Sequence, residues 1–168
     1  NGWSVALTDV GNLTVWGSSS SGALSTAGTK ALTPTIITDG VDTVFSDITV
    51  GANTGYATSI DSINYSWGGN SSAVLGYETS DSKNDEIREI GSSLTTIAPS
   101  GSAVIALGSN RNLYGWGVDR ENAFGEATAN ETSQQTPPRL QQITQFSDVS
   151  AGYNFTAATD LKGKVWVW

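Results

Sequence analysis

The sequence predicts an all-β array of small repeated sheets, and three observations predict it. Four times a tryptophan closes an apolar strand-like run: Leu13-Thr14-Val15-Trp16, Ile63-Asn64-Tyr65-Ser66-Trp67, Leu113-Tyr114-Gly115-Trp116 and Val165-Trp166-Val167-Trp168. Gly follows at Gly17, Gly68 and Gly117, and eight residues beyond the Trp stands Leu24, Leu75 or Phe124. The intervals between these Trp residues are 51, 49 and 52, an evenness that marks one structural unit copied along the chain.

The other elements of each copy follow in order. A run opening the unit reads Phe45-Ser46-Asp47-Ile48-Thr49-Val50-Gly51 and again Phe146-Ser147-Asp148-Val149-Ser150-Ala151-Gly152, with Leu94-Thr95-Thr96-Ile97-Ala98 in the middle copy. Next comes a small-residue β run ending in a turn, at Ser4–Asp9, Tyr56–Asp61, Ala103–Leu107 and Thr156–Asp160. The Trp-closed run is third, and a loop closing on Leu75-Gly76 or Phe124-Gly125 follows it. Each unit therefore reads as about four short strands divided by Gly, Asp, Asn and Ser turns. The nearest helix candidate, Asn84–Ile90, is long enough for one or two turns. The frame is a single array over 1–168, with a partial blade at 1–17 and repeats at 18–68, 69–117 and 118–168.

This order of strand-Gly, small-residue strand with Thr-Asp, Trp-Gly strand and Leu-Gly loop resembles the repeat of the RCC1 family over essentially the whole chain. The resemblance implies tandem four-stranded β-propeller blades, about three repeats of ~50 residues, in an incomplete ring or open array. It implies that Trp16, Trp67, Trp116 and Trp168 are structural repeat anchors. The family usually places His after the Gly that closes the first strand, and this chain has no His. The resemblance therefore speaks for the fold and not for a family activity.

A small twisted sheet has two faces to cover, and in such an array its neighbours cover them. Val5, Leu7, Leu13, Val15 and Leu24 are expected to pack on the next sheet. The Trp side chains supply the largest buried area, so truncating one to Ala costs roughly 3–5 kcal/mol. Closed propellers need about four to eight blades, so three repeats do not close a ring. The chain opens inside a repeat at Asn1, has no Met and stops at Trp168 before the expected Gly. It reads as a segment of a longer polypeptide or a proteolytic product, completed by further copies of the repeat in the same polypeptide or in a homo-oligomer. Open strand edges are templates for such pairing, and head-to-tail contacts close as rings or run on as filaments.

Sixteen acidic against 8 basic residues give a formal charge of -8, which repels nucleic acid and anionic membranes. Without Cys there is no disulfide framework or thiolate metal site, and without His or Cys no Ser-His or Cys-His nucleophile. No apolar run approaches roughly 18 residues, so no membrane insertion is expected. Gly68-Gly69 and Gly115-Trp116-Gly117 lie between strands rather than ahead of a helix, and so are not phosphate loops. No cofactor or metal site is expected, and the chain is not read as an enzyme.

Five Asn-x-Ser/Thr triplets offer glycosylation candidates, ranked by context: Asn130 in a polar stretch, Asn12 at a hairpin turn, then Asn64 and Asn154, and last Asn70. Asn70, like Ser19 and Asp119 at the same place in the copy, is expected to order the loop after Trp-Gly. Asp9, Asp61 and Asp160 recur at one turn and read as hairpin residues bonding their own backbone. Asp39-Gly40-Val41-Asp42 and the group Asp81, Asp85, Glu86 and Glu89 lack a calcium-loop spacing and read as solvated acid. Trp3, Tyr77, Tyr153 and Phe155 are the aromatic residues the repeat explains least, and are candidates for binding a protein ligand.

Two functions follow. The first is a non-catalytic structural repeat protein, extracellular or on the cell surface, assembling head to tail into a ring, fibre or surface layer. The second is a soluble protein-binding module, inhibitor-like or receptor-like, using loops on one face. Relatives of the resembled repeat include a nucleotide-exchange factor, a β-lactamase inhibitor and a plant ultraviolet receptor. The receptor's Gly-Trp-Arg-His-Thr motif has no match here beyond Gly2-Trp3-Ser4.

Overall fold

The computed structural model describes residues 2–38, 42–120, 122–125, 133–134, 144–153 and 155–168, with 133–134 described in backbone only. Fourteen strands form four separate antiparallel sheets, with one 3-10 turn, Ser25–Ala27, and no α-helix among the described residues. Sheet I holds β1 (Trp3–Leu7), β2 (Leu13–Ser18) and β3 (Lys30–Ile37). Sheet II holds β4 (Phe45–Val50), β5 (Thr54–Ser59), β6 (Ile63–Gly69) and β7 (Lys83–Ser92). Sheet III holds β8 (Leu94–Pro99), β9 (Ala103–Gly108), β10 (Leu113–Val118) and β11 (Ser133–Gln134). Sheet IV holds β12 (Phe146–Ala151), β13 (Thr156–Asp160) and β14 (Val165–Val167).

The sheets and the repeat windows are out of phase. Sheets begin at Trp3, Phe45, Leu94 and Phe146, so sheets II and III run across the junctions at 68/69 and 117/118. The strand after each Trp-Gly loop thus belongs with the sheet behind it. The helix candidate Asn84–Ile90 is corrected: it lies inside β7, which pairs along β6 with register shifts at Asn64/Tyr65 and Ser66/Gly68. Of its side chains only Ile87 is fully buried, and the β6 ladder supplies the amide partners that a short helix would have had to supply alone.

One strand residue is dictated by geometry. Gly17, Gly68 and Gly117, each directly after its Trp, sit at φ 108, 105 and 100°. A Cβ there would strike the backbone before the neighbouring strand, at Gly2, Asn53 and Ser102 respectively. The next amide in each case bonds that same carbonyl at 2.8 Å: Ser18 to Gly2, Gly69 to Asn53 and Val118 to Ser102. Only glycine meets both the positive φ and the close approach.

The chain divides into two compact units. Unit 1 comprises 1–71 and 80–92, which holds sheets I and II; unit 2 comprises 72–79 and 93–168, which holds sheets III and IV. In unit 1, Leu13 and Val15 of sheet I pack in one cluster with Ala57, Tyr65 and Trp67 of sheet II. In unit 2, Ile105, Leu107 and Leu113 of sheet III pack with Ala158 and Trp166 of sheet IV and with Trp168, next after β14. Within each unit one face of the first sheet therefore meets the Trp-bearing face of the second. The opposite face of sheet IV leaves Val165 and Val167 at 61 and 66% exposure.

Indole hydrogen bonds recur within the units. Trp67 donates to the Ala23 carbonyl at 3.0 Å, Trp116 to Val74 at 2.7 Å and Trp168 to Ala123 at 2.9 Å. In each pair the acceptor lies seven residues after the preceding Trp of the array. A second bond repeats as well: the Phe45 amide bonds Gly11 at 2.9 Å and the Phe146 amide bonds Arg111 at 3.1 Å.

Candidate functional site

Antiparallel topology gives each sheet two ends. The Trp residue, the loop that follows it and the turn ahead of the preceding strand share one end, here the Trp end; the β1–β2, β5–β6, β9–β10 and β13–β14 turns occupy the other. All four aromatic candidates lie at the Trp end of their sheets, or in a loop leaving it. Phe155, one residue ahead of β13, is 54% exposed, and Tyr153, in the turn after β12, is 80% exposed. Both rings rest on backbone without side chains, Phe155 against Gly152 and Tyr153 against Gly101. The Gly101 amide also bonds the Tyr153 carbonyl at 3.2 Å, so the turn is held while its rings face water.

Trp3 and Tyr77 are placed differently. Trp3 opens β1 and is half-buried against the unit 1 core, its indole donating to the Ala52 carbonyl at 3.2 Å. Tyr77 is half-buried in the loop 72–79.

The loops behind each Trp-Gly are ordered by buried side chains at one repeated position. The Ser19 hydroxyl accepts from the Ser21 amide at 3.2 Å, the Asn70 side-chain amide donates to the Asp81 carbonyl at 3.1 Å, and the Asp119 carboxylate accepts from the Phe124 amide at 3.1 Å. Asn70, expected to order its loop, is 7% exposed. Asn64 is 1% exposed and its side-chain amide donates to the Thr58 hydroxyl at 3.1 Å, so burial speaks against both as sugar acceptors. Asn12 is half-buried in the β1–β2 turn, and Asn130 and Asn154 lie outside the described residues.

At the other end, sequence alignment by Asp was off by one or two positions. The four turns superpose on their positive-φ residues, Gly11, Ser62, Arg111 and Gly163. The opening residue is then Thr8, Ser59, Gly108 or Asp160, so Asp9 and Asp61 are not counterparts of Asp160. The Thr8 hydroxyl accepts from the Asn12 amide at 2.9 Å and the Ser59 hydroxyl from Ile63 at 3.2 Å. Asp160 accepts from Lys162 at 2.8 Å and Lys164 at 2.9 Å, and from the Trp166 indole at 3.0 Å. That indole bond first, then the Lys164 amide, holds the Asp160 carboxyl below its ordinary 3.8. The missed signal was an oxygen-bearing side chain, of any kind, four residues ahead of the returning strand's first amide.

Among the described residues no three acidic side chains are grouped to hold a metal ion. Asp39 to Val41 lie outside them, and in the second acidic group Asp85 pairs with Lys83 at 3.1 Å. No helix of the described residues is long and apolar enough to cross a membrane.

No family model matches the chain. A curated relative, the Regulator of chromosome condensation of Xenopus laevis, is 28% identical over 94 residues, which is 56% of this chain and 22% of that protein. Human WBSCR16 superposes with a TM-score of 0.84 at 20% identity, covering 99% of this chain and 45% of that one. Prp20p of Saccharomyces cerevisiae, a structure described with binding to Gsp1p and histones, superposes at 0.81 with 18% identity, covering 99% and 43%. The chain thus spans less than half the length of these relatives. The expected extracellular or cell-surface location is corrected by them, since chromosome condensation and histone binding are matters of the cell interior. Sheet order, repeated Trp joints and these superpositions agree, and the chain is built of RCC1-like β-propeller blades.

Proposed function

We propose that this chain is a non-catalytic, protein-binding segment of a propeller, and that the β12–β13 turn contacts the partner. The observation that carries the reading is the pair Tyr153 and Phe155, exposed by 80 and 54% on a turn whose backbone is hydrogen-bonded in place. Large exposed aromatics are among the residue types that dominate interface energies. The description of Prp20p with Gsp1p and histones supports a protein as the ligand class. Binding of purified core histones and of Gsp1p to the chain tests it. Tyr153→Ser with Phe155→Ser should weaken the bound probe about tenfold. Binding of neither probe, or unchanged affinity in the double variant, contradicts it.

A second reading concerns completion, and a separate observation favours it. Val165 and Val167 stand exposed on the sheet IV face that corresponds to the covered face of sheets I and III. Trp16, on the Trp face of sheet I, is half-exposed where Trp67 and Trp116 are fully buried. Sheets of the same kind would cover both, from the same polypeptide or from neighbouring copies head to tail. Light scattering checks this: a monodisperse 17.5 kDa monomer with both valines in water counts against completion by copies.

A further inference from the structure

At the end of unit 1 away from the Trp residues, three aliphatic side chains stand in water. Val10 in the β1–β2 turn and Ile60 in the β5–β6 turn are each 64% exposed, and Val44, just ahead of β4, is 40% exposed. They are neighbours. The Ile60 amide donates to the Val44 carbonyl at 3.0 Å, and the Val44 side chain occupies the space beside Gly11, next in sequence to Val10. The Phe45 amide, bonded to the Gly11 carbonyl at 2.9 Å, holds the two turns together.

An exposed carboxylate accompanies each of the three. Asp9 precedes Val10, Asp61 follows Ile60, and Asp42 lies two residues before Val44. None has an ion-pair partner among the described residues. The turn itself does not require the acid: the corresponding turns of unit 2 carry Arg111 and Lys162, the latter beside Leu161, an apolar tip that is 55% exposed. Apolar tips that add nothing to the core, ringed by uncompensated acid, suit a ligand with the converse pattern.

We infer that this end of unit 1 is a docking surface for a basic protein segment, one apolar side chain of which sits among Val10, Val44 and Ile60 while its Lys or Arg residues face Asp9, Asp42 and Asp61. The surface does not depend on the β12–β13 turn. The probe is a synthetic peptide alternating Lys with Leu, with a Glu-Leu peptide as control, titrated into the 15N-labelled chain. The basic peptide should shift the amides of 9–12, 42–45 and 59–62, and the acidic one should not. Val10→Ser with Ile60→Ser should weaken binding about tenfold. Asp9→Asn with Asp61→Asn should flatten its salt dependence, while Glu78→Gln with Glu86→Gln, an equal change of charge elsewhere, should leave it steep. Unchanged Leu13 and Trp67 signals show that the variants are folded. No binding, shifts centred elsewhere, or equal loss in the remote acid pair overturns the inference.

Discussion

In unit 1 the Phe45 amide bonds Gly11 and the Trp67 indole bonds Ala23; in unit 2 Phe146 bonds Arg111 and Trp168 bonds Ala123. Between these shared bonds the fillings differ. Unit 1 sets Phe45 edge-on to Tyr65, with ring centroids 5.4 Å apart at 83°, and seats Leu24 and Ile87 beside Trp67. Unit 2 tilts Phe146 against Trp168 at 6.4 Å and 56°, with Phe124 in place of Leu24. Backbone acceptors at fixed positions register two sheets whatever fills the space, so the joint constrains the Trp and its acceptor's position more tightly than the apolar residues around them.

Five predictions bear on that comparison, from the largest effect down. Trp67→Ala empties a fully buried site and removes the Ala23 bond, and should cost roughly 3–5 kcal/mol in chemical denaturation. Trp168→Ala, at a partly buried site, should cost clearly less; equal losses would mean that the indole bond and not burial decides. Gly68→Ala should cost about 1–3 kcal/mol, since its Cβ meets the Asn53 carbonyl at a positive φ. Next comes pH. Asp160 titrates lower in the fold than in the unfolded chain, so its contribution to unit 2 is complete above the unfolded value and is lost as pH falls through the folded one. Lys162 and Lys164 amides should lose exchange protection in that acid range, relative to their base-line trend, while Asn12 and Ile63, capped by hydroxyls, should not. Smallest is Ser59→Ala, which removes one turn bond and should cost about 1 kcal/mol.

Strand order, the Trp strands and their glycines were legible in the sequence because a repeated backbone contact demands the same residue each time. Gly17, Gly68 and Gly117 are the plainest case, since no other residue fits beside Gly2, Asn53 and Ser102. The phase of the sheets was not legible, because β7 pairs backward onto β6 through a ladder that leaves most of its side chains in water and imposes little pattern on them. The turn cap was misread because Thr8, Ser59 and Asp160 share an oxygen and not a residue type. Of the aromatic candidates, Tyr153 and Phe155 stood out by lying off the repeat, but nothing in the sequence separated them from Trp3, whose indole serves the unit 1 joint. The Val10, Val44 and Ile60 surface escaped notice because three residues from separate turns form no local pattern.

Hydrogen exchange of the indole N–H protons, read from a 15N-labelled sample, tests the shared joint most directly. Trp67, Trp116 and Trp168, each bonded to a carbonyl seven residues past the preceding Trp, should exchange slowly, and half-exposed Trp16 should exchange fast. Exchange of Trp67 and Trp116 as fast as that of Trp16 would contradict the account.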